Sequence, residues 1–330
     1  MPKGYHHLTH DQRCQLYALK KRGFTQAQIA LDLGVNQATI SRELGRNSGK
    51  RGYRFGQAQA FATKRGLAGK RVARVMTPAL TARVNRLLTQ YQWSPQQISG
   101  ALLREDGTKI SHETIYRHIW RDKKQSGKLY EHLRQRGKKC NKRGSAKAGR
   151  GLIPGRVDIS ERPAIVAEKT RVGDWEGDSI IGANHRGAIT SIVERKTKLT
   201  LLVLQKGATA EATKAGMIAR LEPLKEYVKT LTTDNGKEFA SHEKITEILG
   251  APFYFCTPYH SWERGLNENT NGLVRQYFPK GTDFSTLTEE DVQKVEDLLN
   301  NRPRKTLNYQ SPNEVFAKLT ATKPIYALQL

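Results

Sequence analysis

The sequence predicts two kinds of structure in one chain: all-α helix-turn-helix domains, then an α/β domain with a mixed five-stranded sheet and flanking helices. Two observations lead to this prediction. In the first half, apolar residues recur at helical spacing among many basic side chains. In the second half, short β-rich runs alternate with helix-like segments. We therefore expect small helical modules followed by one larger α/β domain.

Charge divides the 330 residues at about the same place. Residues 1–150 carry 32 lysines and arginines against 8 acidic residues, whereas residues 151–330 carry 24 against 23. Because the basic residues are interleaved with apolar ones at helical spacing, the first half is typical of folded nucleic-acid-binding modules. A solvated or disordered basic segment and a membrane-surface segment are the weaker alternatives. The near-neutral second half is typical of a catalytic domain.

Composition excludes several classes of protein. No apolar run approaches the roughly 18 residues of a membrane span, and residues 1–10 lack the apolar core of a signal peptide. Cys14, Cys140 and Cys256 are odd in number, far apart and outside any metal-ligand spacing. We therefore expect a soluble intracellular protein with reduced thiols and no zinc site.

Residues 1–50 are predicted to form the first helix-turn-helix domain. One helix stops near Gly23, Thr25 can cap a second, and Gly34 can take the left-handed turn before a third helix capped by Asn36. A helical hairpin without a DNA role would show the same pattern, but the basic context favours DNA binding. The third helix then exposes side chains that can reach base edges or phosphates in a major groove: Gln37, Thr39, Ser41, Arg42 and Arg46.

Residues 51–136 are predicted to form a second helical region with a looser helix-turn-helix. Pro95 stands in the first turn of one helix, after Ser94, and Ser111 caps another. The alternative is a helical hairpin that packs against the rest of the protein and touches no DNA. Residues 137–165, basic and poor in apolar side chains at their start, are predicted to be a flexible linker. The DNA-contact residues expected in this region are His112, Thr114 and Arg117.

Residues 166–330 are predicted to form the α/β domain. The predicted elements follow the order β-β-β-α-β-α-β-α, which is typical of the ribonuclease H-like fold. In that fold the first strand lies centrally and the fourth lies beside it. The strands are expected at Val172–Ile181, Ala188–Arg195, Leu199–Gln205, Val228–Thr233 and Phe253–Cys256, and the helices at Ala210–Tyr227, Ser241–Leu249 and Trp262–Tyr277.

Three acidic residues fall at positions where this fold can bring them together. Asp178 lies on the first strand, Asp234 ends the fourth, and Glu268 follows on a helix, with 33 residues between it and Asp234. Clustered carboxylates are costly unless a cation sits among them, so we expect a metal site. Two Mg²⁺ ions, which Mn²⁺ can replace, would suit phosphodiester chemistry, with Asp178 bridging both. Arg275, two turns after Glu268, can face a DNA phosphate.

Each acid also has an ordinary structural interpretation. Asp174, Glu176 and Asp178 alternate on one face of the strand, so spacing alone leaves the first acid open. Asp234 begins an Asp-Asn-Gly turn signal, and Glu268 on a polar helix could be a surface residue. Their occurrence together, in the order of the fold, favours a site.

Three motifs resemble a known family. They are Gly-Asp-Trp-Glu-Gly-Asp ending at Asp178, Thr-Asp-Asn-Gly-Lys-Glu-Phe around Asp234, and Arg-Gly-Leu-Asn-Glu-Asn-Thr-Asn-Gly-Leu-Val-Arg-Gln-Tyr-Phe-Pro-Lys-Gly around Glu268. With the first helix-turn-helix and the Asn-Arg-Pro-Arg and Ser-Pro-Asn-Glu segments within residues 301–314, they resemble the transposases of the bacterial insertion sequence thirty family. The likeness spans nearly the whole chain. Leu266 departs from it, since threonine is frequent there.

The resemblance implies a DDE transposase with an integrase catalytic core, in which Asp178 is the first catalytic acid. It implies binding to the terminal inverted repeats of an element, metal-dependent cleavage at 3′ ends, and joining of those ends to target DNA without a covalent protein intermediate. The implied partners are double-stranded DNA and further copies of the chain, as a homodimer or larger assembly, with no membrane and no small-molecule cofactor. The implied location is the bacterial cytoplasm, on the nucleoid.

Other functions remain open on the sequence. A DNA-binding regulator could retain an inactive integrase-like core, although the presence of all three acids argues against it. A metal-dependent nuclease or Holliday junction resolvase could use the same core, although sequence-reading helices are unnecessary there. A structural chromatin protein fits poorly, because the second half is nearly neutral.

Overall fold

The computed structural model describes residues 7–70, 76–134, 153–258 and 260–321. The chain divides into two compact units, Met1–Thr77 and Pro78–Leu330. This division differs from the predicted limits at residues 50 and 136. In the first unit, a hairpin and a fourth helix continue the structure beyond residue 50. In the second, the helices before residue 134 pack with the α/β domain.

The first unit is a helix-turn-helix followed by a hairpin and a long helix. The predicted caps are present: the Thr25 side chain accepts from the backbone of Gln28, and Asn36 accepts from Ala38. Gly34 adopts the left-handed conformation with φ 62°. The elements are α1 (His10–Lys21), α2 (Gln26–Asp32), α3 (Gln37–Asn47), β1 (Ser48–Gly49), β2 (Gly52–Tyr53) and α4 (Phe55–Lys70).

A small core holds this unit together. Leu16, Ile29 and Ile40 are almost fully buried between the first three helices. Arg13 of α1 also pairs with Glu43 of α3 at 2.8 Å, and both side chains are buried. A buried pair of this kind fixes the position of α1 against α3 because either partner alone would be an uncompensated charge.

The second unit begins with the predicted second helical pair. Its helices are α5 (Pro78–Thr89), α6 (Pro95–Asp106) and α7 (His112–Lys124), followed by a 3₁₀ helix at Leu129–His132. The Ser94 side chain and Gln97 form a capping box at the start of α6, and Ser111 caps α7. Gly100 of α6 leaves no room for a Cβ atom because the Tyr309 ring lies against it. This contact joins α6 to a segment near the C-terminal end of the same unit.

The strands of the large sheet are β3 (Val157–Asp158), β4 (Asp174–Ile181), β5 (Ala188–Glu194), β6 (Thr200–Gln205), β7 (Thr230–Thr233) and β8 (Phe253–Phe255). Their order in the sheet is β3-β8-β7-β4-β5-β6. β4, β5 and β6 are antiparallel neighbours, whereas β7 and β8 run parallel to β4. This is the ribonuclease H-like arrangement that the sequence predicts.

The prediction of a five-stranded sheet was wrong by one strand. The two residues of β3 pair in parallel with β8 at the edge of the sheet. They lie in the segment 137–165 that was predicted to be a linker, and residues 137–152 of that segment are outside the described residues.

Helices cover both faces of the sheet. They are α8 (Ile165–Glu168), α9 (Ala210–Leu221), α10 (His242–Leu249), α11 (Gly265–Tyr277), α12 (Glu289–Asn300) and α13 (Pro312–Thr320). The predicted helix 210–227 changes to a 3₁₀ helix at Glu222, where Pro223 follows. The predicted helix 262–277 likewise starts as a 3₁₀ helix over Ser261–Arg264, before α11.

Alternate residues of β4 face two separate apolar cores. Trp175 packs with side chains of α9, α10 and α13, and Ile180 packs with those of α11 and α12. Asp178 therefore faces the side of the sheet that α11 covers. The described helices are each too short or too polar to span a lipid bilayer.

Candidate active site

The register of the two central parallel strands places the first two acids side by side. Asp174 pairs with Thr230 and Glu176 pairs with Thr232. Two residues further on, the same register brings Asp178 opposite Asp234, which directly follows the last residue of β7. Strand pairing between segments more than 50 residues apart thus brings two of the three predicted acids together.

An arginine lies between these two acids. The Arg264 guanidinium approaches Asp178 Oδ1 with Nη1 at 2.8 Å and Asp234 Oδ2 with Nη2 at 3.4 Å. Its side chain is only 14% exposed and the two aspartates are 21% exposed. Arg264 ends the 3₁₀ helix that precedes α11. The segment leading to Glu268 therefore supplies a positive charge to the two aspartates.

Glu268 lies in the first turn of α11 and lines a surface cavity of about 630 Å³. Asp178, Arg264, Asn271 and Arg275 line the same cavity. The structure thus brings Asp178 and Asp234 to one guanidinium and places Glu268 and Asp178 on one cavity. Among the residues that the structure describes, no three histidine, cysteine or acidic side chains are already arranged around a single ion position.

Asn271 fixes the orientation of Asp178. Its Nδ2 donates to Asp178 Oδ2 at 2.7 Å, and its Oδ1 accepts from Ser191 Oγ at 2.7 Å. Ser191 is the residue opposite Asp178 on β5. The sequence prediction gave Asn271 no role, although its position three residues after Glu268 on a helix places both on one face.

A fourth carboxylate, Glu238, also lies near the pair. Burial raises its pKa, and the negative charges of Asp234 and Asp178 raise it further. Gly236 leaves room for it, because a Cβ atom there would overlap the Glu238 carboxylate. Burial likewise raises the pKa of Asp178, against the opposing effect of Arg264. This concentration of acidic groups favours a cation.

The other acids of β4 serve structural pairs. Asp174 is fully buried and accepts from Arg171 at 2.9 and 3.0 Å and from Thr230 Oγ1 at 2.8 Å. Glu176 is buried in an ion pair with Arg195. Of the three alternating acids, Asp178 is the one that lines the cavity.

The donor set suits magnesium. Carboxylate oxygens and an open side toward solvent match the hard oxygen ligands and retained waters that Mg²⁺ prefers. The guanidinium between Asp178 and Asp234 shows that the space there already accommodates a positive charge. Asp178, Asp234 and Glu268 stay the predicted metal ligands.

Two further arginines face the cavity. Arg275, predicted to contact DNA, donates from Nη2 to the Ile181 carbonyl at 2.6 Å, and its guanidinium lies over the Phe284 ring. Arg134 donates to Asn269 Oδ1 at 2.9 Å and was missed by the sequence prediction. It comes from the end of the helical region, 135 residues away from Asn269, so no local signal could have indicated it.

The predicted DNA-contact residues of the helical regions lie on helix surfaces. On α3, Gln37, Ser41, Arg42 and Arg46 are exposed and Thr39 is half-buried. On α7, His112 and Arg117 are exposed, and the Thr114 hydroxyl bonds to that of Ser111 at 2.9 Å. Their contacts with DNA stay predictions.

Comparison with known proteins identifies relatives along almost the entire chain. A family model described as a helix-turn-helix domain matches residues 4–47. The transposase for insertion sequence element IS4351 of Bacteroides fragilis is 47% identical over 95% of this chain and 96% of its own length. The transposase for IS1086 of Cupriavidus metallidurans is 38% identical over 96% of each chain.

The transposase InsI for insertion sequence element IS30A of Escherichia coli is 34% identical over 94% of this chain and 84% of its own length. Among solved structures, the catalytic core domain of BIV integrase matches with 21% identity and a TM-score of 0.36, covering 46% of this chain and 97% of that domain. The fold assignment rests on the strand order, not on this last likeness. The full-length relatives show that the chain belongs to the IS30 family of insertion-sequence transposases.

Proposed function

We propose that this chain is a DDE transposase that binds the terminal inverted repeats of its element, cleaves 3′ ends with Mg²⁺, and transfers them into target DNA. The strand register that sets Asp234 beside Asp178, with Glu268 on the same cavity as Asp178, is the observation that carries the proposal. Family membership supports it, because the relatives are named as transposases.

The reaction needs charge compensation at a phosphodiester. Bound by Asp178, Asp234 and Glu268, two Mg²⁺ ions, or Mn²⁺ in their place, would stabilise both the attacking and the leaving oxygen. Asn271 holds the Asp178 carboxylate in one orientation. Arg275 and Arg134, on the cavity wall, are suited to bind the phosphates on either side of the reacting bond.

No protein nucleophile is required in this proposal. Water first attacks the phosphodiester and releases a 3′-hydroxyl end, breaking the bond to the leaving oxygen, which gains a proton. The 3′-hydroxyl then attacks a target phosphodiester, so that one phosphate ester bond forms as another breaks. The number of ester bonds is conserved in the second step, which therefore needs no external energy source.

The basic first half of the chain supports DNA binding. Its net positive charge would give a strong, salt-dependent attraction to the DNA backbone. The exposed side chains of α3, with α7 as a second contact, would read base sequence within the inverted repeat. We further propose that the active species is a homodimer or a larger homo-oligomer, since two element ends must be joined to one target.

The test is a joining assay. Purified protein is incubated with a labelled duplex carrying the element's own end and with a supercoiled target plasmid, in Mg²⁺ or in EDTA, beside Asp178→Asn. Joined product that requires both the metal and the unsubstituted protein supports the proposal. Cleavage without joining would indicate a nuclease, and tight sequence-specific binding without cleavage would indicate a regulator with an inactive core.

A further inference from the structure

Arg264 occupies the place in the site where a cation is expected. Its guanidinium pairs with Asp178 at 2.8 Å and with Asp234 at 3.4 Å, and these are two of the three proposed metal ligands. We propose that Arg264 is a displaceable counter-ion, which excludes the divalent metal from the two aspartates until DNA draws the guanidinium away. This inference rests on the proposed function and adds an order of events to it: DNA binds first, and the metal then reaches the two aspartates.

The charges at the site explain the exclusion. Two adjacent carboxylates, with Glu238 nearby, repel one another without a positive partner. Arg264 supplies one positive charge and relieves this repulsion while the site is without DNA. A divalent ion entering beside the guanidinium would meet a like charge at short range in a mostly buried setting, where solvent screens poorly. Metal and guanidinium therefore compete for the same carboxylate oxygens.

The contacts of Arg264 are those of a group that can move. Its Nε is buried and has no hydrogen-bond partner among the described residues, while Nη1 and Nη2 pair with the Asp178 and Asp234 carboxylates, so attraction to these two carboxylates is its main restraint. Arg195, by contrast, pairs with buried Glu176 and also donates from Nε to the Val166 carbonyl at 3.1 Å. Arg195 has the geometry of a structural arginine, and Arg264 does not.

The surroundings offer Arg264 another partner when DNA is bound. Arg264 lines the 630 Å³ cavity together with Arg134 and Arg275. A DNA backbone entering this cavity would bring phosphates within reach of all three guanidinium groups, and arginine binds phosphate as readily as carboxylate. Transfer of Arg264 to a phosphate would free Asp178 and Asp234 for the metal.

Thermodynamic linkage makes the coupling measurable from either ligand. If DNA helps the metal to bind by removing Arg264, then the metal must strengthen DNA binding by the same factor. Couplings of this kind typically amount to about 5- to 150-fold in affinity. The effect requires Arg264, so its removal should abolish most of the coupling while leaving the metal ligands in place.

The experiment is a titration of Mn²⁺ into the full-length protein, with free Mn²⁺ measured by electron paramagnetic resonance, in the presence and absence of a short duplex. Without DNA, Arg264→Gln should bind Mn²⁺ about tenfold more tightly than the unsubstituted protein. Adding duplex should tighten Mn²⁺ binding in the unsubstituted protein and change it less than about threefold in Arg264→Gln. Equal or weaker Mn²⁺ binding by Arg264→Gln without DNA would overturn the inference.

Three variants make the result specific. Arg275→Gln removes a positive charge from the same cavity but not from the two aspartates, so it should change DNA-free Mn²⁺ affinity less than about twofold. Arg264→Lys keeps the charge but loses the two-pronged geometry, so its Mn²⁺ affinity without DNA should lie between those of the unsubstituted protein and Arg264→Gln. This variant keeps the test informative if Arg264→Gln misfolds. If Asp178→Asn, with the duplex present, binds Mn²⁺ as well as the unsubstituted protein does, the proposed metal site itself is wrong, whatever Arg264 does.

Discussion

Replacement of Asn271 by alanine tests whether the orientation of Asp178 matters for the reaction. The side chain is half-buried and makes two hydrogen bonds of 2.7 Å, one to the Asp178 carboxylate and one from the Ser191 hydroxyl. Asn271→Ala removes both hydrogen bonds and leaves all three proposed metal ligands unsubstituted. Asn271 is thus a positioning residue, and we expect its loss to slow the chemical step.

The size of the effect follows from these contacts. A hydrogen bond to a charged group contributes about 1.5–3 kcal/mol. If the whole of this contribution were needed in the transition state, the rate would fall about 10- to 150-fold, since each 1.4 kcal/mol is a factor of about ten. Substitution of groups that support metal ligands commonly costs about 10- to 100-fold. We therefore expect a 10- to 100-fold slower cleavage step and DNA-end affinity within about twofold.

The assay is single-turnover cleavage of a labelled element end at saturating Mg²⁺, beside a binding measurement. The matched control is Asn301→Ala, because Asn301 also makes two side-chain hydrogen bonds, to the Asp297 carbonyl and from Asn313, away from the cavity. Cleavage by Asn271→Ala within twofold of the unsubstituted rate would refute the positioning role. An equal loss in Asn301→Ala would attribute the effect to general destabilisation.

Two other predictions concern stability. Arg302 is 2% exposed and donates to Gln97 Oε1, to Gln276 Oε1 and to the Gln92 carbonyl. Arg302→Met should leave these acceptors unpaired and lower the free energy of unfolding, measured in urea, by about 3–5 kcal/mol. A loss below about 1 kcal/mol would contradict this prediction. Burial lowers the pKa of Lys198 to about 8. Between pH 8 and about 10.4 the unfolded state therefore binds more protons than the folded state. Across this window the free energy of unfolding of the unsubstituted protein, relative to that of Lys198→Met, should rise with pH. A pH-independent difference between the two proteins in urea unfolding would show that Lys198 is not perturbed.

Local sequence signals predicted the parts of the fold that depend on neighbouring residues. The caps at Thr25, Asn36 and Ser111 were located correctly, because a capping side chain bonds to a backbone N–H two or three residues away. The strand order was also predictable, since the alternation of short β-rich runs with helical segments limits the possible topologies. Strand β3 was missed because a pairing of two residues leaves no periodic pattern.

The site was only partly predictable, for a related reason. Asp178, Asp234 and Glu268 stand in motifs that can be read along the chain, and the structure places the first two side by side. Arg264 and Asn271 were not predicted because their roles arise from contacts across 30 to 93 residues. Such contacts depend on the completed packing of α11 against the sheet, which no local pattern encodes.

The sequence analysis gave packing of the second helical region against the rest of the protein only as an alternative, and named none of the contacts. Gln276 of α11 donates to the Gln92 carbonyl at 3.4 Å and to the His132 carbonyl at 3.1 Å, and the Tyr277 hydroxyl donates to the Tyr91 carbonyl at 3.2 Å. These residues are ordinary polar side chains in the sequence. Their contacts tie the helix that carries Glu268 to the region preceding the sheet, so a boundary at residue 136 does not separate independent packing units.

The most direct test of the account is to locate the metal. Crystals of the protein with an element-end duplex and Mn²⁺ would show ion positions by anomalous scattering. We predict anomalous density within coordination distance of all three proposed ligands, Asp178, Asp234 and Glu268. We also predict that the Arg264 guanidinium has moved from the aspartates to a DNA phosphate. Absence of density there, or Mn²⁺ bound only by other residues while Arg264 still bridges Asp178 and Asp234, would contradict the proposed site.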